Sequence, residues 1–489
     1  MSVKDRIISG VKAMMAAHLV DVVSNALLII VLTRYLLTPS QFGELNFALS
    51  VFSIVTILAT LGIPKSTARY VTEFLETDPS QMRYLIRRSL LYLTVLTVIV
   101  GGGVLVLGRP AVRMLGEPSL LTFLGAGVGY VAARAFASYF SAVFQGYNRV
   151  TWSAALSSIS GVVRFPAVVG FILLGYGAFG AFLGYAAGFA VAAIVGAFAL
   201  YVGYYVDHET TDDPNQGLTR RLLEYSVPLT ATRGANVLDK KMDTVLVGVL
   251  LNMTAVSYYT VAKQISDFVA LPAASFGYTI SPTLGEQKAQ DRLDRAARIY
   301  EESLKFVVIT YVPAMVGLIL VAEPTIRLVF GADYLGAVPV VQVFSGFMFV
   351  NAVNKVTSDG LDYLGKARSR AIVKSLTATS NFLLNLLLIP IIGVVGAAAA
   401  TVITYTVYTG TNVVIIHGEL EVRVRRLVHD LGLTCLVTGA MTGVVLVARP
   451  YISGLPSLLG VVALGAGVWA VLLFVSGILK PADIADAVL

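Results

Sequence analysis

Apolar runs of about 20 residues recur along the chain from Ala13 to Gly477, separated by short polar connections. Each run is long enough for an α-helix to cross roughly 30 Å of hydrocarbon. The runs are continuous rather than alternating. That favours helices over barrel strands, whose successive residues would face lipid and lumen in turn. The pattern predicts an all-α polytopic membrane protein with about fourteen transmembrane helices, at 13–33, 43–63, 89–108, 119–144, 151–174, 178–205, 222–251, 256–281, 304–322, 336–358, 369–390, 393–416, 430–448 and 458–478.

Composition agrees with the pattern. Of 489 residues, 56% are apolar and 13% charged, against about 25% charged in soluble domains; mean hydropathy is +0.79. Lys4, Arg6 and Lys12 precede the first span, but that span is long and carries Asp21 and Asn25. It therefore reads as a retained helix rather than a cleaved signal. The single cysteine, Cys435, lies in an apolar span and excludes an intrachain disulfide. The net charge of +7 does not suggest a nucleic-acid partner; its distribution is more informative.

With the N-terminus placed in the cytoplasm, 24 Lys and Arg fall on the cytoplasmic side. Five (Arg34, Arg109, Arg113, Arg327, Arg449) fall outside, and seven lie within spans. This bias predicts a multi-pass protein of the cell membrane with both termini cytoplasmic. Gly-rich third and fourth spans (Gly101 to Gly103, Gly125, Gly127, Gly129) predict close helix approach.

The longest polar connector, 207–221, contains Pro214 and Gly217 and reads as a flexible linker between halves. Beyond it the first half returns. LLTPSQFGELNFA (36–48) aligns with LLNMTAVSYYTVA (250–262). QGYNR near Gly146 meets YLGKAR near Gly365, and GAFGAF (177–182) meets GVVGAA (393–398). The near-constant offset predicts two six-helix repeats in the same orientation. They form an N-lobe at 1–206 and a C-lobe at 222–428, followed by an extra helix pair and tail at 429–489. The segment 286–306 places Asp291–Arg295 and Asp294–Arg298 at i,i+4 spacing and predicts a helix on the membrane surface.

Seven ionisable cations inside spans need an explanation, because each costs roughly 2.5–3.5 kcal/mol at bilayer depth. They are Arg134, Arg164, Arg233, Lys240, Lys241, Lys263 and Lys355. The in-span carboxylates Asp21, Asp239, Asp243 and Asp267 leave a surplus of +3, or +1 if the span-end residues Glu44 and Glu224 are counted. The seventh span concentrates charge. At about 100° per residue, Ser226, Arg233, Asn236, Lys240, Asp243 and Thr244 fall on one side, with Asp239 at its border. In the first span, His18, Asp21 and Asn25 share a face.

RYLLTPSQFGELNFALSVFSIV followed by LGIPKSTARYVTEF resembles the start of the polysaccharide-transport flippases of the multidrug/oligosaccharidyl-lipid/polysaccharide exporter superfamily. The resemblance rests on an R-x-L-x-x-P-x-x-F-G turn and an R-Y helix end, here Arg34, Leu36, Pro39, Phe42, Gly43, Gly62, Arg69 and Tyr70. Thr38 stands where many members have glycine. The G-x-x-G-A helix starts Gly177, Gly180, Ala181 and Gly393, Gly396, Ala397 also fit. The resemblance implies two six-helix lobes around a central cavity and alternating access. It also implies a substrate of lipid-linked oligosaccharide, of polyprenyl phosphate or diphosphate type, carried from the inner to the outer leaflet.

An anionic head group suits the cationic surplus, since arginine grips phosphate bidentately and lysine acts as a point charge. The candidate substrate-binding residues are Arg233 and Lys240, then Arg164 and Arg134, with Lys241, Asn236 and Lys263. Asp21, Asn25, His18, Asp239 and Asp243 are candidates for coupling to a proton or sodium ion. Membrane lipids are the other expected partners, and a monomer is expected.

There is no Walker loop, HExxH or paired-cysteine site, and the four histidines are scattered. An enzyme is therefore not expected, and no cofactor or metal is implied. A cation-coupled drug exporter of the same superfamily would favour an acidic cavity. A glycan polymerase or ligase would need a sizeable outer loop, and every outer loop here is short. A non-transporting scaffold leaves the in-span charges unexplained.

Overall fold

The computed structural model describes residues 22–205 and 217–477. His18, Asp21, most of the linker 207–221 and the tail beyond 477 lie outside the described residues. The described residues are helical throughout, without strands. In order, the helices are α1 Val22–Leu36, α2 Pro39–Thr60, α3 Ile63–Thr77, α4 Met82–Leu115, α5 Leu121–Gly146, α6 Val150–Phe171, α7 Gly177–Leu200 and α8 Leu218–Leu250. There follow α9 Met253–Ala289, α10 Leu293–Thr325, α11 Val338–Tyr363, α12 Ala367–Ile392, α13 Val394–Leu420, α14 Val424–Ala448 and α15 Leu455–Val475.

Ten helical stretches among the described residues are long and apolar enough to cross a membrane, and one of them, Val150–Tyr205, joins α6 and α7. The shorter α1 and the charge-bearing α8 and α9 complete the expected fourteen; α3 is an additional, non-spanning helix.

α3 follows directly on the second span, across a bend. Leu61 (φ 38°) and Gly62 (φ 74°) are both left-handed, so the chain bends and then restarts as a helix at Ile63. After a tight turn at Pro79–Gln81, residues 82–88 are the first two turns of α4. The segment 286–306 is not a separate surface helix. It is the end of α9, a turn at Asp291 (φ 57°) and the start of α10. Asp291 therefore does not share a helix with Arg295.

The chain forms two compact units, Met1–Val249 and Leu250–Leu489. The first includes α8, so the units divide one helix later than the sequence repeat does. Within unit 1, α7 packs on α5 and α6, while α3 and α4 pack on α5. Within unit 2, α13 packs on α11 and α12, and α9 and α10 pack on α11.

The repeat is visible in local devices. Thr38 caps α2, accepting from the Gln41 N–H at 3.4 Å, and Asn252 caps α9, accepting from the Ala255 N–H at 2.9 Å. Both positions belong to the aligned stretches 36–48 and 250–262. The turns after α5 and α11 use the same three backbone bonds, with Asn148 (φ 57°) and Gly365 (φ 79°) in the left-handed position. The equivalent residue is thus Asn148, two residues beyond Gly146. A buried tyrosine–hydroxyl pair joins α4 to α5 (Ser89 to Tyr139, 2.7 Å) and α10 to α11 (Tyr300 to Thr357, 2.9 Å).

Glycine permits close approach where the packing needs it. A Cβ on Gly127 would overlap the Phe52 ring, and one on Gly101 would lie 2.8 Å from a Val128 methyl. Gly102, Gly103, Gly125 and Gly129 face open space instead.

At the Lys/Arg-rich side of unit 2, Glu301 on α10 anchors the connection between α13 and α14. Its carboxylate is 2% exposed and accepts from the Arg423 backbone N–H at 2.7 Å, from Nε at 3.3 Å and from Nη2 at 3.1 Å; Arg426 lies at 3.8 Å. Burial alone would raise the Glu301 pKa. The Arg423 hydrogen bonds and the two positive charges outweigh it and hold the carboxyl below its ordinary value of 4.5. A depressed folded pKa contributes stability that is fully present above the unfolded value and is lost as pH falls through the folded one. Glu301→Gln is expected to cost about 1.5–3 kcal/mol at neutral pH, the range for hydrogen bonds to a charged group. Thermal unfolding of purified wild type and variant across the acid range checks this. Their separation should shrink as pH falls, and a constant separation would contradict the assignment.

Candidate functional site

Unit 1 holds most of the in-span cations, and its helices treat them differently. Arg134 projects from α5 with Nη1 donating to the Ser53 hydroxyl on α2 and, at 2.8 Å, to the Tyr130 hydroxyl one turn back. Its guanidinium also lies 5.8 Å from the Tyr130 ring centroid and 5.6 Å from that of Phe189 on α7. Arg164 on α6 lies over Tyr185 of α7 at 5.2 Å. Tyr185 and Phe189 are four residues apart, so one face of α7 presents a ring to each arginine. Around Arg134, hydroxyls and π faces position the guanidinium without bringing a negative charge of their own.

Close packing makes this possible. A Cβ on Gly188 of α7 would fall 2.6 Å from the Ser160 carbonyl and 3.2 Å from the Arg164 Cβ. The α6 backbone therefore approaches α7 where Arg164 leaves it.

Arg233, on α8, lies within electrostatic range of Arg134. The charge of Arg134 thus bears on Arg233 from a separate helix. The predicted stripe of α8 does not keep one environment. Arg233, Asn236 and Lys240 are exposed, whereas Ser226, Asp243 and Thr244 are buried. The reason is local packing. Ser226 is covered by the α2–α3 bend, where a Cβ on Gly62 would meet its carbonyl at 2.6 Å. Asp239 and Lys241 are half-buried. Asn25 is half-buried on α1, while His18 and Asp21 lie outside the described residues.

The foot of α8 is clasped by α3 and α4. The buried Ser66 hydroxyl donates to the Leu222 carbonyl at 3.0 Å, and Tyr70 donates to the Arg221 carbonyl at 3.2 Å. Arg221 bridges Glu73 at 2.8 Å, Arg69 lies over Tyr225 at 4.1 Å, and Tyr92 reaches Thr219 at 3.0 Å. The Arg69 and Tyr70 of the helix-end motif are therefore both used to hold α8.

In unit 2, Lys263 sits 5.6 Å from the centroid of the buried Tyr259 ring. Sequence reasoning left Lys374 out of the in-span cations, although the span 369–390 contains it. It lies on α12, over Tyr405 at 4.5 Å and Tyr408 at 5.1 Å, and donates to the Tyr405 hydroxyl at 3.2 Å. Also missed was a neutral polar seam along α12 and α13, where Asn385 donates to Asn381 and Asn381 to Thr404, at 3.0 and 3.1 Å. The i,i+4 asparagines in an apolar span were the available signal. Among the described residues, no cluster of three or more His, Cys, Asp or Glu could hold a metal ion.

This fold, fourteen spans with a repeated six-helix plan, defines a class seen in solved transporters. The chain superimposes on a structure described as "Lipid II flippase MurJ, inward closed conformation" with TM-score 0.74 and 14% identity, covering 95% of this chain and 98% of that one. It matches an inward-facing multidrug resistance MATE family transporter of the MOP superfamily with TM-score 0.60 and 15% identity, covering 83% and 94%. Residues 8–287 match the family described as polysaccharide biosynthesis protein, and residues 235–391 match the MatE family. The chain belongs to the polysaccharide biosynthesis protein family.

Two Haloferax volcanii proteins are similar in sequence. "Probable flippase AglR" is 24% identical over 266 residues, 54% of each chain. "Probable low-salt glycan biosynthesis flippase Agl15" is 21% identical over 168 residues, 34% of this chain and 36% of that protein. The matches thus span about half and about a third of those relatives.

The Gly188 contact supplies a test of the site's construction. Gly188→Val should force α6 from α7 and cost about 1–3 kcal/mol, typical of overpacking. Thermal unfolding in detergent measures it, with Gly410→Val, at a glycine facing open space on α13, as the near-neutral reference.

Proposed function

We propose that this protein is a flippase that carries a lipid-linked saccharide precursor across the membrane by alternating access. The observation that carries the proposal is Arg134, a guanidinium held by two hydroxyls and two rings, whose charge bears on Arg233. The two guanidiniums stand on different helices of unit 1. Mutual repulsion is unfavourable unless an anion enters between such groups, and a phosphate or diphosphate linkage has the charge and oxygens to do so. Family membership and the similarity to proteins described as flippases support the same reading.

In this proposal Arg233, Lys240, Arg134 and Arg164 grip the phosphate. Asn236, Lys241 and Lys263 contact the head group, and the surrounding bilayer takes the tail. The lobes move about the linker 207–221, with the N-lobe at 1–206, the C-lobe at 222–428 and the extra pair following. The Lys/Arg bias supports a cell-membrane location with cytoplasmic termini. The protein acts as a monomer. Asp21, Asn25, His18, Asp239 and Asp243 couple the cycle to a proton or sodium gradient. Transport in sealed vesicles that ignores both gradients would remove the coupling step.

The fold shared with multidrug transporters supports a second reading, export of cationic drugs. The two readings differ in the sign of charge they need at Arg134 and Arg233.

Arg233→Ala combined with Lys240→Ala should lower outward delivery of lipid-linked glycan at least tenfold, about 1.4 kcal/mol or more, while its synthesis continues. Surface glycan and the inner-leaflet precursor are measured in cells expressing equal protein. Normal surface glycan in the double variant would overturn the proposal.

A further inference from the structure

Between Met82 and Tyr205 the chain carries eight arginines and a single carboxylate, Glu117, in the turn between α4 and α5. Helices α4 to α7 themselves contain no Asp or Glu. Four of the arginines stand at the opposite, Lys/Arg-rich end: Arg83, Arg87 and Arg88 in the first turns of α4, and Arg149 in the α5–α6 turn. These helices therefore have no carboxylate of their own with which to neutralise them.

Tyrosines take that place. The exposed Arg149 lies 6.0 Å from the Tyr204 ring centroid and makes no ion pair among the described residues. Arg83 lies 5.6 Å from the Tyr205 centroid, and its Nε donates to the Tyr205 carbonyl at 2.9 Å. Tyr204 and Tyr205 belong to the π-helical turn Tyr201–Tyr205 that ends α7. Two arginines from different parts of the chain thus meet one helix end. Tyr204 is itself packed against Tyr147, at 4.9 Å between centroids, and Phe144, at 5.9 Å.

From this end α7 turns an apolar stripe outward. Ile194, Phe198, Tyr201 and Val202 recur at helical spacing and all are exposed. Tyr201 stacks on Tyr205 at 5.9 Å, so the stripe runs directly into the ring that carries Arg83. Exposed aliphatic and Phe side chains suit hydrocarbon, and Tyr and Arg at their end suit the head-group level of a bilayer.

We propose that this end of unit 1 binds an anionic phospholipid of the surrounding bilayer, its phosphate against Arg149 and Arg83 and one acyl chain along the α7 stripe. The forked donors of arginine match phosphate oxygens. A basic surface on helices without carboxylates favours a lipid of net negative charge over a zwitterionic one. A free phosphate ion would gain nothing from the stripe. The site uses none of the residues assigned above to the transported head group, so it is tested apart from that assignment.

A bound lipid raises the unfolding midpoint in a concentration-dependent way. The full-length protein in uncharged detergent is titrated with dioleoylphosphatidylglycerol, with dioleoylphosphatidylcholine and with inorganic phosphate. The anionic lipid should give a saturable rise, and the other two at equal concentration should not. Arg83→Gln with Arg149→Gln should raise the half-saturating concentration at least tenfold. Arg83 also bonds the end of α7, so Arg149→Gln alone, at an exposed side chain, keeps the test decisive if the double variant does not fold; at least a threefold rise is expected there. Phe198→Ser should likewise raise it at least threefold by removing part of the chain's seat. Arg425→Gln, at an exposed arginine on the Lys/Arg-rich side of unit 2, should leave the titration unchanged. An equal rise with dioleoylphosphatidylcholine would show that charge is not recognised, and an equal rise with inorganic phosphate would make this a free-anion site. Wild-type titration in Arg149→Gln would place the lipid elsewhere, and in Phe198→Ser it would show that no chain lies on the stripe. Each of these results overturns the proposal.

Discussion

Hydrocarbon offers no partner to a backbone N–H or carbonyl, so each crossing segment must satisfy its own. Much of the architecture follows from that. The connections are short, and those after α5, α9 and α11 close with the same three hydrogen bonds around one left-handed residue: Asn148, Asp291 and Gly365. Proline is tolerated inside α4, α6, α8, α9, α10 and α12. Hydroxyls that return to the carbonyl four residues back, as Thr232 does to that of Pro228 at 3.1 Å, pair their own polar group within the helix.

The same scarcity of partners governs the charges. At the membrane edge, where water and long side chains are available, opposite charges meet directly: Glu301 with Arg423, Glu419 with Lys366 and Lys288, Arg221 with Glu73. Within unit 1, Arg134 rests on rings and hydroxyls, and Arg164 lies over a ring. A ring or a hydroxyl holds a cation in place without bringing a negative charge of its own. Lys374 against Tyr405 and Tyr408 repeats the device in unit 2.

Comparison of the two repeats separates frame from chemistry. The helix caps, the left-handed turns and the tyrosine–hydroxyl pairs between equivalent helices recur. Gly180 and Gly396 each pack against the end of the preceding helix, where a side chain would strike the backbone. The groups placed on this frame differ. Arg134 and Arg164 occupy α5 and α6, whereas α11 and α12 carry Lys355, Lys374 and the asparagine seam. A duplicated scaffold has been kept where packing demands it and has diverged where side chains face polar space.

The sequence by itself determined the all-α class, the fourteen spans, the repeat and the identity of the deep charges. Those properties act residue by residue, through the cost of placing each group in hydrocarbon. It also placed Arg69, Tyr70 and the G-x-x-G-A starts at positions that prove structural. Only the tertiary structure decided which charges share a neighbourhood. Helical periodicity assigned Arg233 and Asp243 to one stripe, yet one is exposed and the other buried, because the cover over each turn of α8 comes from elsewhere in the chain. The place of Lys374 over Tyr405 and Tyr408 was invisible for the same reason. Periodicity specifies the side of a helix on which a residue lies, and packing alone specifies what stands opposite.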